Sequence, residues 1–287
     1  EMEHHSNIVP WQLVCEQTGA SLEVVPVCDD GSLDMEAYKS LLTKDVAIVS
    51  MAHVSNAIGT INPVKEMCKL AREVGATTVV DGAQATGHLQ VDISDIDCDF
   101  YAISGHKMFG PTGIGCLFGK YELLQEMEPW QGGGDMILSV SFEETTWNDV
   151  PFKFEAGTPN IAGAIGLGAA VSWIQEIGYD KISKHEQELL AYGREVLLAI
   201  DGVDLVGASK HNAGVIAFTL RGVHPHDVGT ILDHAGVAIR TGNHCAEPLM
   251  KRFGLAATCR ASLSIYNTRE DIDCLGLGIK EAMRILG

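Results

Sequence analysis

Two residues of opposite charge, Asp81 and Lys107, stand where chemistry is most easily built in an alternating α/β sequence. Asp81 closes the run Thr77-Thr78-Val79-Val80. Lys107 follows the next apolar run, in Ser104-Gly105-His106-Lys107. In open α/β sheets, ligands bind just beyond the carboxyl ends of the strands. A carboxylate buried there needs a partner or takes up a proton. A pyridinium nitrogen is one such partner, and a lysine amine in the same crevice can close a Schiff base. An acid and an amine so related meet the needs of pyridoxal phosphate (PLP), whose ring is an electron sink. A structural Asp–Lys ion pair has the same spacing, and spacing alone leaves both readings open.

A third candidate lies far along the chain. Val237-Ala238-Ile239-Arg240 reads as a strand, Thr241 to Glu247 as a loop, and Pro248 suits the first turn of a helix over 248–253. Cys245 sits in that loop, ahead of a helix start and near Arg240, the setting of a reactive thiolate. An inert loop cysteine is the plainer alternative, and His244 faces a pocket or the core with no assigned role. His5, His53 and His88 have no paired spacing, so no metal site is expected.

These groups need a frame. Short apolar runs at 24–27, 46–51, 77–80, 100–103 and 114–118 alternate with helical patterns at 34–42 and 64–74. The alternation predicts a mostly parallel, doubly wound sheet. Residues 132–159 are rich in Gly, Thr, Glu and Pro and read as an irregular excursion. Helices follow at 162–177, 182–200, 226–235, 248–253 and 270–285, with strands at 215–218 and 237–240. The expected division is a large domain over 1–173 and a smaller α/β domain over 174–287.

Composition excludes some partners. The 287 residues carry a net charge of −18, which argues against nucleic acid and against an anionic membrane surface. No apolar run is long enough to span a bilayer and no signal segment opens the sequence. The eight cysteines include no Cys-x-x-Cys pair, so no zinc ribbon is expected; the chain is long and shows no secretory signal, so a reducing cytoplasm is expected and a disulfide framework is not.

Several longer motifs occur together. They are Glu3-His4-His5-Ser6-Asn7-Ile8-Val9-Pro10-Trp11, His53-Val54-Ser55-Asn56, Asp81-Gly82-Ala83-Gln84 and Ser104-Gly105-His106-Lys107. In this combination the chain resembles the class V aminotransferase superfamily. Phe154-Glu155-Ala156-Gly157-Thr158-Pro159-Asn160, Arg240-Thr241-Gly242-Asn243-His244-Cys245-Ala246 and Cys259-Arg260-Ala261-Ser262 narrow the resemblance to cysteine desulfurases. It is similar to the branch with Suf-type and selenocysteine lyase-like enzymes, over essentially the whole chain.

The resemblance implies a PLP-dependent transferase of fold type I. Its large domain holds a mostly parallel seven-stranded sheet, and the smaller C-terminal domain carries the cysteine loop. It also implies that a segment ahead of Glu1 belongs to the complete fold, with a threonine-containing loop on the phosphate. By resemblance, Lys107 bears the cofactor, Asp81 pairs with its ring nitrogen, His4 stacks on the ring and Gln84 bonds the phenolic oxygen. Ser104 and His106 hold the phosphate, as does Thr158 from the other subunit of a homodimer. Asn56 and Arg260 take the substrate carboxylate, Arg240 lines the same pocket and Cys245 is the nucleophile.

The implied reaction converts L-cysteine to L-alanine. Sulfur is left as a persulfide on Cys245 for a Suf-type acceptor protein in iron–sulfur cluster assembly. L-selenocysteine is the alternative substrate. From a different class, a non-catalytic fragment of such an enzyme is the second hypothesis.

Overall fold

The computed structural model describes residues 1–286. A 3-10 turn over His5–Asn7 leads into helix α1 (Val9–Thr18), which has Pro10 in its first turn and ends on Gly19 in left-handed conformation at φ 77°. Helix α2 (Met35–Leu41) starts at Asp34, whose carboxylate accepts the N–H groups of Glu36 and Ala37.

The first sheet follows. Strand β1 (Ile48–Ala52), helix α3 (Val64–Glu73), strand β2 (Thr77–Asp81), the short helix α4 (Ile93–Ile96), and strands β3 (Phe100–Ser104) and β4 (Gly115–Gly119) succeed one another. The sheet order is β1-β2-β3-β4, with β1, β2 and β3 parallel and β4 antiparallel to β3. Helix α3 buries Val64, Met67, Cys68 and Ala71, the one-face spacing of an amphipathic helix.

Beyond it come α5 (Tyr121–Glu126), strands β5 (Ile137–Val140) and β6 (Thr145–Trp147), and the long helices α6 (Ile161–Ile177) and α7 (Tyr179–Leu198). Helices α6 and α7 break at Gly178 with a bend of 75°. No single described helix is long and apolar enough to cross a membrane.

The remaining elements are β7 (Val203–Leu205), β8 (Val215–Leu220), α8 (Pro225–His234), β9 (Arg240–Gly242), α9 (Glu247–Arg252), β10 (Thr258–Ser262) and α10 (Arg269–Leu286). Their sheet has the order β7-β8-β10-β9 and antiparallel pairing throughout. Leu189 and Leu197 of α7, Leu232 of α8 and Ile279 of α10 pack on Ile216 and Phe218 of β8 to form one core. Another core joins Met51, Val80 and Tyr101 of the first sheet to Ala246, Leu249 and Met250. The helix after Cys245 is therefore seated in the core of the first sheet.

Several expectations are corrected. Residues 24–27 do not form a strand. Only Val27 bridges, to Leu33, and the neighbouring backbone groups pair with Glu1 and with Asp34 instead. Residues 132–159 hold a β5–β6 hairpin, Ile137 facing Trp147, where an irregular excursion was expected. The strand read at 237–240 is shifted: β9 begins at Arg240 and takes in Thr241 and Gly242, because its ladder partners on β10 are Thr258 to Arg260. The mostly parallel first sheet is as expected, with four strands among the described residues of the seven that the resemblance implies for the complete fold.

Candidate active site

Asp81 ends β2 with its Oδ1 accepting the N–H of Ala83 at 2.9 Å, while its carbonyl accepts the N–H of His53 at 2.8 Å. The backbone can turn here because Gly82 has no side chain. A Cβ at that position would lie 1.9 Å from the Tyr101 ring, which packs beneath it. The Tyr101 hydroxyl is 2.8 Å from Nδ1 of His53. Burial depresses His53 to about 4, so this imidazole is neutral. Gln84 lies half-buried in the turn that follows.

Lys107 closes the 3-10 turn Gly105–Lys107 that follows β3. Burial lowers its pKa. Arg260 and Arg240 push the same way, and Asp81 and Cys245 oppose them. His4 caps the 3-10 turn ahead of α1, with Nδ1 2.7 Å from the Ser6 hydroxyl. Its pKa is lowered by burial and by the charge of Lys107, against the pull of Asp81. Ser104 Oγ and His106 Nδ1 stand 3.1 Å apart beside the same turn. The elements that end at one mouth of the sheet thus bring His4, Asp81 and Lys107 together, and the second sheet adds Arg240, Arg260 and Cys245.

The antiparallel register of β9 and β10 sets Arg240 directly opposite Arg260. Like charges in that relation repel, and the proximity of Arg240, added to burial, lowers the pKa of Arg260. One Nη of Arg260 donates to the carbonyl of Asn56 at 2.6 Å, and its Nε is buried without a partner. A buried guanidinium edge with an unused donor calls for an anion. The Asn56 side chain does not face this edge freely. Its Nδ2 donates to the carbonyl of His244 at 2.6 Å, which ties the cysteine loop to the first sheet.

Cys245 is half-buried, with Sγ 3.9 Å from Nη2 of Arg240. His244 turns away into the core, where Nε2 meets the Thr258 hydroxyl at 2.9 Å; burial, with Arg260 and Arg240, depresses it to about 4. Of the other histidines singled out, His88 bonds the buried carboxylate of Glu186 at 2.8 Å. Thr158 stands apart, exposed on the loop ahead of α6. His5, set aside in the sequence as a histidine without metal-ligand spacing, has a different partner. It reaches the cysteine loop across a separation of 242 residues, and no local pattern announces such a contact.

The class-V aminotransferase model matches residues 1–275. A probable cysteine desulfurase of Xylella fastidiosa (strain Temecula1 / ATCC 700964) is 50% identical over 286 residues, which cover 100% of this chain and 69% of the relative. A cysteine desulfurase of Salmonella agona is 51% identical over 288 residues, covering 100% of this chain and 71% of the relative. The chain belongs to the cysteine desulfurases of the class-V aminotransferase family. Among solved structures, the cysteine desulfurase CsdA from Escherichia coli superposes with a TM-score of 0.96 at 38% identity, covering 100% of this chain and 71% of that one. An apo cysteine desulfurase from Thermococcus onnurineus NA1 gives a TM-score of 0.94 at 40% identity, covering 98% and 71%.

This family of desulfurases depends on PLP, and the donor set here fits that cofactor. The amine of Lys107, the carboxylate of Asp81 and the imidazole of His4 act on one another electrostatically, and the unused Nε of Arg260 offers an anion a donor in the same cluster.

Proposed function

We propose that this chain catalyses cysteine desulfuration, with Lys107 holding PLP and Cys245 accepting sulfur. One observation carries the reading: the half-buried amine of Lys107 feels Asp81, Arg260, Arg240 and Cys245, with Arg240 opposite Arg260 and 3.9 Å from Cys245 Sγ. An amine with an acid and two cations suits an amino-acid substrate held by its carboxylate. The thiol in that company has no use in transamination and a direct one in sulfur transfer.

Bound PLP supplies an electron sink for the bonds at the substrate Cα. Lys107 is a base once freed, because burial and two guanidiniums keep its proton loosely held. It takes the proton from Cα and returns it. With PLP bound, Asp81 would pair with the ring nitrogen and hold its proton, and His4 would stack on the ring. Gln84 would hydrogen-bond the phenolic oxygen, and Ser104 and His106 would hold the phosphate. Arg260 binds the carboxylate with the donors it does not spend on Asn56, and Arg240 lines the pocket between that site and Cys245.

The Cys245 thiolate attacks the substrate sulfur, and the carbon–sulfur bond breaks with its electron pair going to carbon. L-cysteine and the Cys245 thiol become alanine and a Cys245 persulfide, which balances atoms and electrons with no outside oxidant. A thiol on an acceptor protein then takes the outer sulfur, and a Suf-type protein is the proposed acceptor.

A homodimer belongs to the same reading. Leu138, Val140 and Phe142 on the β5–β6 hairpin and Ile161 and Ile165 on α6 are largely exposed apolar side chains that a second copy would cover. The exposed Thr158 then serves the other subunit. The boundary proposed between a large domain over 1–173 and a small one over 174–287 lies within α6, close to the break at Gly178. A reducing compartment, the cytoplasm, keeps the catalytic thiol available.

The test incubates PLP-loaded protein with L-cysteine or L-selenocysteine and measures alanine. Alanine from cysteine with stoichiometric Cys245 persulfide supports the reading. Alanine from selenocysteine alone replaces it with a selenocysteine lyase, and no cofactor uptake favours a non-catalytic fragment.

A further inference from the structure

The loop that carries Cys245 is short and poorly supported from within. Only Asn243 and His244 separate the end of β9 from Cys245, and α9 begins at Glu247. His244 and Cys245 both take left-handed backbone, with φ of 54° and 56°. That conformation is disfavoured for residues with a Cβ, and two in succession persist only where surroundings impose them. Inside the loop, Asn243 Oδ1 accepts the Cys245 N–H at 3.0 Å and the Asn243 carbonyl accepts the Ala246 N–H at 2.9 Å.

The outside support comes from the other end of the sequence. The His5 N–H donates to the Cys245 carbonyl at 2.7 Å. The His5 ring accepts the Glu247 N–H on Nε2 at 3.0 Å, so its own proton sits on Nδ1. Asn56 closes the third side by donating to the His244 carbonyl. His5 therefore grips the chain at two points just after the thiol-bearing Cα, and Asn56 holds the point just before it.

We propose that His5 is a positioning residue for Cys245: its main chain and ring hold the cysteine loop at the Cys245 carbonyl and the Glu247 N–H and so fix Sγ beside Arg240. The proposal rests on the reading of Cys245 as the sulfur acceptor. His5 is free for this task because its neighbours secure the segment independently. Met2 is fully buried in the core, and Glu3 accepts the Ala52 N–H at 2.9 Å. Removing the His5 ring should leave the segment in place and release only the Glu247 end of the loop.

The experiment compares wild type, His5→Leu and His5→Gln, all PLP-loaded. Leucine cannot accept a hydrogen bond, whereas the glutamine oxygen reaches about where Nε2 stood. Two quantities are read: amide hydrogen exchange over residues 243–249, which needs no turnover, and the steady-state kinetics of alanine formation. In His5→Leu, the Glu247 amide should exchange and kcat should fall by about tenfold, the worth of one hydrogen bond. KM for cysteine and the cofactor absorbance should stay as in wild type, and His5→Gln should recover both losses. The proposal is overturned if His5→Leu exchanges like wild type, if His5→Gln is no better than leucine, or if KM rises while kcat holds. If the wild-type protein makes no alanine from cysteine, the desulfurase reading fails, while the exchange data still decide whether His5 holds the loop.

Discussion

Arg240 and Arg260 face each other across the β9–β10 pair, so two cations occupy directly opposed positions on adjoining strands. Direct opposition of like charges costs stability unless an anion relieves it. Arg260 already spends one Nη on Asn56 and leaves a buried Nε unused. Replacing it by lysine should not be conservative, because an ammonium cannot present a planar pair of donors to a carboxylate. Arg260→Lys should raise KM for cysteine by roughly tenfold to a hundredfold, the worth of one charged hydrogen bond. An unchanged KM would place the substrate carboxylate elsewhere.

Lys107→Ala removes the amine that the site is built around. It should lose the visible absorbance of bound PLP and all turnover. Asp81→Asn keeps the shape, since an amide oxygen can still accept the Ala83 N–H seen at 2.9 Å, but removes the charge. Loss of that charge should cost about 3 kcal/mol of transition-state stabilisation, on the order of a hundredfold in kcat/KM. Near-normal kcat/KM in Asp81→Asn would show that another group protonates the ring.

Much of this site is legible in the sequence because its parts sit at strand ends. Asp81 and Lys107 follow apolar runs whose boundaries mark β2 and β3 almost to the residue. What could not be read depends on contacts between distant segments. Helix α1 leaves Val9, Leu13 and Val14 exposed, so it has no apolar stripe turned to a core and no periodic signal. Strand β9 starts at Arg240 because β10 pairs there, and nothing local says so. The motif Cys259-Arg260-Ala261-Ser262 was visible as chemistry, yet its status as a strand, and with it the opposition of the two arginines, came only from tertiary pairing. His5 is the extreme case, with its partner at the other end of the chain.

Two buried histidines set a pH dependence of stability. Burial depresses His53 and His244 from an ordinary 6.5 to about 4. Between those values the unfolded chain binds more protons than the folded one, so stability rises with pH across the window. It is complete above pH 6.5 and is lost as the pH falls toward 4, by about 3 kcal/mol for each histidine. Urea midpoints taken from pH 7 down to 4.5 should fall, and His53→Gln should show a shallower slope. An identical slope in that variant would mean that His53 is not held neutral by the fold.

The last expectation concerns how sulfur leaves. Cys245 is tethered two residues from the end of β9 and one residue from the start of α9, in a loop held by His5 and Asn56. Such a loop cannot carry a persulfide away from the crevice; the acceptor must come to it. Basal turnover should therefore be slow, with the persulfide accumulating, and should rise when a sulfur-acceptor protein docks at the mouth. The label should fall on Cys245. Cys259, next to Arg260, is fully buried and its thiol is pushed up to about 12, which denies it the thiolate that attacks sulfur. Cys274 is exposed on α10, the helix packed behind the second sheet, outside the group of residues around Lys107. Cys245→Ala should abolish desulfuration of cysteine and keep the absorbance of bound PLP, because that thiol does not hold the cofactor. Selenocysteine should still be turned over in that variant, since selenium leaves with less nucleophilic help. The measurement traps the persulfide with an alkylating agent and maps it by mass spectrometry, with and without acceptor. A label on Cys259 or Cys274, with Cys245 unmodified, would refute the assignment of the nucleophile.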